Sequence, residues 1–208
     1  MKQPRTHELR DASPLEQADI AAAGQLARHR HHPALRAATG FSQLADQPPL
    51  LAASSAVMAW GLLSGDRHLA RRGGYLLASV GLATLLKSAV KRLVSRTRPN
   101  VLLDQGLYRV QPLGPDEGPW HSFPSGHTTG AVALARAVGR CWPAACWPAY
   151  AGAAAAGIVQ VPRGAHYPSD VLAGVVLGVI AEYVLSQLFP PAPAVGRPVR
   201  DAPSSVRR

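Results

Sequence analysis

Five apolar stretches separated by short polar connectors constrain this chain more than any other feature. They cover residues 49–64, 73–86, 127–140, 144–161 and 171–188, and small residues, above all Ala and Gly, recur in them. Each is a little shorter than the roughly 20 residues a spanning helix needs, and a few flanking residues at each end close the gap. Ala and Gly let helix backbones approach closely, as membrane helices do. Charged residues are only 16% of the 208, below the roughly 25% of ordinary soluble domains. The expectation is an all-α, integral membrane bundle of about five spanning helices. The rival is a set of buried helices in a soluble all-α protein.

The remaining segments frame that bundle. Residues 15–45 scatter Leu15, Ile20, Leu26, Leu35, Phe41 and Leu44 among charges, too polar to span. They read as one or two amphipathic helices lying on the membrane surface. Residues 1–14 form a polar tail with no apolar core and cleavage site, so a cleaved leader is not expected. Residues 191–208, rich in Pro and Arg, read as a disordered basic tail. The domain proper is then 15–190. The net charge of +10 raises nucleic-acid binding, but no basic face interleaved with aromatics supports it. Arginines flanking apolar blocks suit a membrane protein better.

Three stretches carry chemistry. In the first, Lys91 and Arg98 lie seven apart before Pro99, so on a continuing helix they share a face. Lys as a point charge and Arg as a two-pronged donor suit phosphate, and a positive membrane flank is the plainer reading. In the second, Pro124-Ser125-Gly126-His127 opens a helix. Its unpaired first N–H groups make an anion site, Gly126 allows close approach, Ser125 adds a hydroxyl and His127 a proton near neutral pH. In the third, His166 lies just ahead of a helix for which Ser169 reads as N-cap. Asp170, four residues on, can orient His166 by accepting its ring N–H.

Other residues read more plainly. Cys141 and Cys146 define no disulfide framework or metal spacing. His29, His31 and His32 read as a polar turn before Pro33. Residues 100–121 read as a Pro- and Gly-rich loop, with Trp120 facing either a substrate or an interface. Gly174 and Gly178 form a small-xxx-small pair for packing. Glu182, deep in an apolar helix, reads first as a structural pairing.

In order and spacing, Lys91 with Arg98-Pro99, Pro124-Ser125-Gly126-His127, and His166 with Asp170 resemble the signature of the type 2 phosphatidic acid phosphatase superfamily. The resemblance covers about residues 20–190 and is closest to the small bacterial membrane branch. It implies a metal-independent phosphatase acting on a lipid phosphomonoester or diphosphate, with no cofactor. His166 would be the nucleophile, Asp170 its activator and His127 the acid for the leaving oxygen. Lys91, Arg98, Ser125 and Gly126 would hold the phosphoryl oxygens. One position departs: Gln160 stands where the family carries an arginine, with Arg163 three residues later as a substitute. That departure keeps open a lipid-phosphate-binding protein weakened in turnover; the other alternative is a soluble acid phosphatase or haloperoxidase relative, which the apolar blocks oppose. The active-site motifs fall at one end of the helices, and Arg67, Arg71, Arg72, Arg140, Arg197 and Arg200 at the other. The positive-inside rule then places the site on the periplasmic or outer face of a bacterial membrane.

Overall fold

The computed structural model describes residues 12–114 and 118–190, and all structural statements concern these. The expected tails at 1–11 and 191–208, with Arg197 and Arg200, lie outside them. Eight α-helices are described: α1 Pro14–Ala27, α2 Pro33–Ser42, α3 Gln47–Leu63, α4 Arg67–Leu93, α5 Pro99–Gln105, α6 Gly126–Cys141, α7 Cys146–Ile158 and α8 Pro168–Leu188. Each apolar block forms one helix. Local chemistry sets the ends: Asp66 caps α4 through His68 N–H and Leu69 N–H, and Ser13 with Glu16 closes a capping box on α1.

Two helices, α4 and α8, are long and apolar enough to cross a membrane. The other apolar helices, α3, α6 and α7, have 17, 16 and 13 residues. Along α8, Leu172, Val176, Ile180 and Tyr183 are exposed. Their spacing of four, four and three places them on one stripe facing outward, a surface suited to lipid.

Packing in the bundle relies on glycine. A Cβ on Gly61 would lie 2.2 Å from Ala70 N, and one on Gly73 would lie 2.3 Å from Met58 N, so α3 and α4 touch backbone to backbone. A Cβ on Gly174 would meet Ser125 O at 2.8 Å, and one on Gly178 would meet Thr129 O at 2.6 Å. The expected glycine pair thus seats α8 directly on α6. At the far end from these helix starts, buried Glu182 accepts from Tyr75 Oη at 2.6 Å and Arg136 Nε at 2.9 Å and pairs with Arg140. That is the structural pairing the sequence suggested.

Three expectations need correction. Helix α4 ends at Leu93, so Lys91 and Arg98 do not share a helical face. The chain turns there into β1 (Val94–Arg96), which pairs antiparallel with β2 (Val110–Pro112), and the fold is helical apart from this ribbon. The segment read as a loop holds α5 and β2. Its apolar residues come in runs too short for periodicity to register. The N-terminal helices also do more than lie on a surface. Helix α1 buries Asp19, Ala23 and Ala27, four apart and so on one stripe. Ala23 packs into a cluster with Tyr108, Val161 and Tyr167.

Candidate active site

Helices α6 and α8 begin side by side, and their first turns are tied by Ser125 N–H donating to Asp170 O at 3.0 Å. This brings the second and third sequence motifs together. The first motif joins them through the loop before α8. Gly164, at φ +74, presents its carbonyl to Asn100 N–H at 2.9 Å, beside Arg98 at the head of α5.

His166 is the most buried histidine, 3% exposed. Its Nδ1 lies 2.6 Å from Ser122 O. A carbonyl only accepts, so Nδ1 carries the hydrogen and Nε2 keeps the lone pair. Asp170 Oδ2 is 3.8 Å from Nδ1, an ion-pair distance. The ring N–H expected to go to Asp170 therefore goes to Ser122. Asp170 Oδ2 instead accepts from Tyr167 N–H at 2.8 Å and from Ser122 Oγ. Burial lowers the His166 pKa, with Asp170 pulling it up and Arg98 and Lys91 adding to the depression. The neutral ring is favoured.

Lys91, Arg98 and Arg163 supply the positive charge of the site. Lys91 Nζ donates to His121 O at 2.7 Å. Arg98 and Lys91 act electrostatically on His166, and Arg98 and Arg163 act on His127. Burial pushes the pKa of Arg98 down from its ordinary value, and neighbouring Arg163 adds to this. Burial likewise lowers that of Arg163. Guanidinium groups nonetheless stay charged, so the cluster is a positive field that an anion relieves. Nε2 of His127 and Nε of Arg98 are buried with no partner. Buried polar atoms are rarely left so, and functional sites are where exceptions occur.

Gly126 sits where a Cβ would lie 3.1 Å from Lys87 Cδ. Lys87 Nζ donates to Gln47 Oε1, 2.9 Å away. Ser125 is fully buried, and its Oγ accepts from Thr128 Oγ1 at 2.9 Å. Gln160 is also fully buried. Its Nε2 donates to Ala156 O at 2.8 Å, and its Oε1 accepts from Arg163 Nη1 at 3.3 Å. Its carbonyl takes both Ala165 N–H and His166 N–H. Gln160 therefore shapes the turn before the histidine and holds Arg163.

Sequence reasoning missed a buried ion cluster behind the site. Arg96, 5% exposed, donates from Nη1 to Asp170 Oδ1 at 2.9 Å and from Nη2 to Asp19 Oδ2 at 2.7 Å. Its guanidinium stacks on Tyr167, 3.8 Å from the ring centroid. Ser169 is not the N-cap: Tyr167 holds that position, and Ser169 donates its N–H and Oγ to Asp19.

Comparisons with known proteins follow the same lines. A sequence model of the PAP2 superfamily matches residues 72–193. The chain is 37% identical over 106 residues to a lipid A 1-phosphatase of Rhizobium etli, covering 51% of this chain and 45% of that protein. It thus spans less than half the length of that relative. It is 32% identical over 149 residues to a decaprenylphosphoryl-5-phosphoribose phosphatase of Mycobacterium tuberculosis, covering 66% of this chain and 79% of that one. In structure it resembles a transmembrane PAP2 type phosphatidylglycerolphosphate phosphatase from Bacillus subtilis. The TM-score is 0.65 at 23% identity, over 86% of this chain and 87% of that one, a likeness of fold.

Proposed function

Because this chain belongs to the PAP2 superfamily, we propose that it is an integral membrane phosphatase that removes phosphate from a lipid through a phosphohistidine on His166. The observation that carries this is a buried His166 fixed in one tautomer beside Asp170, with Lys91 and Arg98 acting on it electrostatically and Arg98 and Arg163 on His127. Nε2 of His166 attacks phosphorus and the bond from phosphorus to the lipid oxygen breaks. His127 gives its proton to that oxygen, and the lipid alcohol (or the monophosphate, from a diphosphate) departs. Water then attacks the phosphohistidine, His127 takes a proton from it, and phosphate leaves. Splitting one displacement into two lowers each barrier, and phosphoryl transfer depends chiefly on positioning and charge. The site needs no metal in this scheme. Lys91, Arg98, Arg163, Ser125 and the Gly126 N–H hold the phosphoryl oxygens, with Gln160 holding Arg163. The negative charge of Asp170 stabilises the cationic imidazole that forms.

In the bilayer, α3, α4, α6, α7 and α8 make up the five spans, with the site at the outer face. Arg67, Arg71, Arg72 and Arg140 face the cytoplasm, as the positive-inside rule favours. Helices α1 and α2 lie at the outer interface. The relatives widen the choice of substrate beyond phosphatidate, phosphatidylglycerol phosphate and polyprenyl diphosphates to phosphorylated lipid A and decaprenylphosphoryl-5-phosphoribose. The test is phosphate release by the detergent-purified protein from this panel, with EDTA present and His166→Ala as control. Release that vanishes in the variant supports the reading, and its absence from every lipid with folded protein overturns it.

A further inference from the structure

Helix α8 is capped from within only by Asp170 Oδ2, which accepts the N–H of the N-cap residue. Its N-cap residue is Tyr167, whose side chain makes no capping bond. The first N–H groups of a helix need partners, and α8 obtains one from far away in the chain. Asp19 Oδ1, on α1, accepts Ser169 N–H at 2.9 Å, and Asp19 Oδ2 accepts Ser169 Oγ at 2.5 Å. Asp19 thus caps the helix that carries Asp170.

Arg96 completes the connection. Its Nη2 bonds Asp19 Oδ2 at 2.7 Å, while its Nη1 bonds Asp170 Oδ1 at 2.9 Å and Ser169 Oγ at 2.8 Å. The two oxygens of Asp170 therefore have separate duties. Oδ1 is taken by Arg96. Oδ2 is left for the His166 side, where it holds Ser122 Oγ and Tyr167 N–H. The backbone of Arg96 contributes as well: its carbonyl accepts Ser122 N–H at 2.9 Å, and Ser122 O is what fixes His166 Nδ1. One residue therefore orients both groups that face the imidazole.

We infer that Asp19 and Arg96 are positioning residues for the nucleophile, with Asp19 tying the N-terminal helix into the site and sharing the charge of Arg96 so that Asp170 keeps its pull on His166. Neither touches the phosphoryl group. The inference rests on the phosphatase reading only for its rate measurements. The physics is that of a buried ion triad, in which removing one member leaves the others uncompensated. Without the charge of Asp19, the whole field of Arg96 falls on Asp170. The charged and titratable groups facing His166 are Asp170 on α8, Lys91 on α4, Arg98 before α5 and His127 on α6. Among them Asp170 opposes the cations beside the ring, while Asp46, at the head of α3, acts on Arg98, Arg163 and His127.

Asp19→Asn tests this, because it keeps the shape and an acceptor for Ser169 N–H. The expected result is a drop in kcat of about tenfold or more with KM changed less than about twofold, as for a small misplacement of a reacting group. The acid limb of the pH profile should also move down by roughly half a unit, the size of a lost charge one residue removed from the site. Asp19→Glu should restore part of kcat and return the limb toward its original place. Gln17→Ala serves as the control on the same helix: Gln17 Nε2 donates to Ala12 O at 2.8 Å, and its loss should leave the profile unmoved. The ring signals of His166, followed by NMR in detergent through a pH titration, read the same downward shift without turnover. If the wild-type protein releases no phosphate from any lipid, the phosphatase reading fails while this titration still decides the inference. An Asp19→Asn protein that loses activity only in proportion to lost folded protein, with an unshifted titration, overturns it, as does one that behaves like wild type.

Discussion

Ser122 O stands 2.6 Å from Nδ1 of His166, whereas Asp170 Oδ2 stands 3.8 Å from it. The tautomer of the histidine is therefore set by a backbone carbonyl and its charge by a carboxylate, two tasks that one side chain was expected to perform. Asp170→Asn should leave Nδ1–H in place while removing the charge that stabilises a cationic imidazole. We expect kcat to fall roughly 100-fold or more, the scale for loss of one preorganised electrostatic contact. The ring nitrogens of His166 should still show the Nδ1–H tautomer by NMR. A variant with the other tautomer would assign Asp170 the orienting task as well.

The buried His166 should stay neutral into mildly acidic solution. Its pKa is lowered by burial, and the attacking nitrogen must be unprotonated, so the acid limb of kcat/KM that it causes should lie below pH ~6.5, the ordinary histidine value. The stability consequence has the same sign. The unfolded chain takes up the proton first as pH falls, so the folded state loses stability below about pH 6.5 until the folded pKa is reached. A kcat/KM profile and a thermal midpoint series over the same buffers check both. An acid limb at or above the ordinary value would show that Asp170 outweighs burial.

Arg163 takes the place of the missing family arginine only if Gln160 holds it there. The contact is Arg163 Nη1 to Gln160 Oε1 at 3.3 Å. Arg163→Ala should cost about 100-fold in kcat, as losing one charge-assisted donor to the transition state does. Gln160→Ala should cost about tenfold by releasing the guanidinium. Combining Gln160→Arg with Arg163→Ala should recover part of the loss. Equal rates for Arg163→Ala and wild type would remove Arg163 from the cradle and point to the weakened, binding-protein alternative.

How much of this was legible in the sequence follows from what each contact depends on. Periodicity and apolar runs are local, and α3, α6, α7 and α8 appear within a few residues of their expected positions, while α4 takes in most of the connector before its apolar block. The motif residues His127 and His166 come together because two glycines, visible as a four-residue spacing, set α8 against α6, and Arg98 joins them through the Asn100 to Gly164 contact. Arg96 was illegible because its partners lie 77 and 74 residues away in sequence. No pattern in the 94–98 segment separates it from Arg92 or Arg98. Asp19 did leave a trace: it heads a buried stripe with Ala23 and Ala27, on a helix otherwise read as a surface element. The β ribbon escaped because three-residue strands carry too little alternation to see.

Gly178 offers the sharpest test of that helix seating. A Cβ there would lie 2.6 Å from Thr129 O and 2.9 Å from Val132 Cβ. Backbone cannot yield as a side-chain end can, so α8 must move away from α6. That movement separates His166 from His127, since His166 directly precedes the N-cap of α8 and His127 sits in the first turn of α6. Gly178→Val should therefore lower stability by about 1–3 kcal/mol, the usual cost of overpacking. It should lower kcat more than a stability loss alone explains. Gly152→Ala is the matched control on α7: nothing lies within 4 Å of its Cβ, and alanine is the better helix former by about 1 kcal/mol, so stability should hold or rise. Thermal midpoints in detergent and single-turnover phosphate release separate the two effects. If Gly178→Val matched Gly152→Ala in both, the spacing of α6 and α8 would not be what assembles the site.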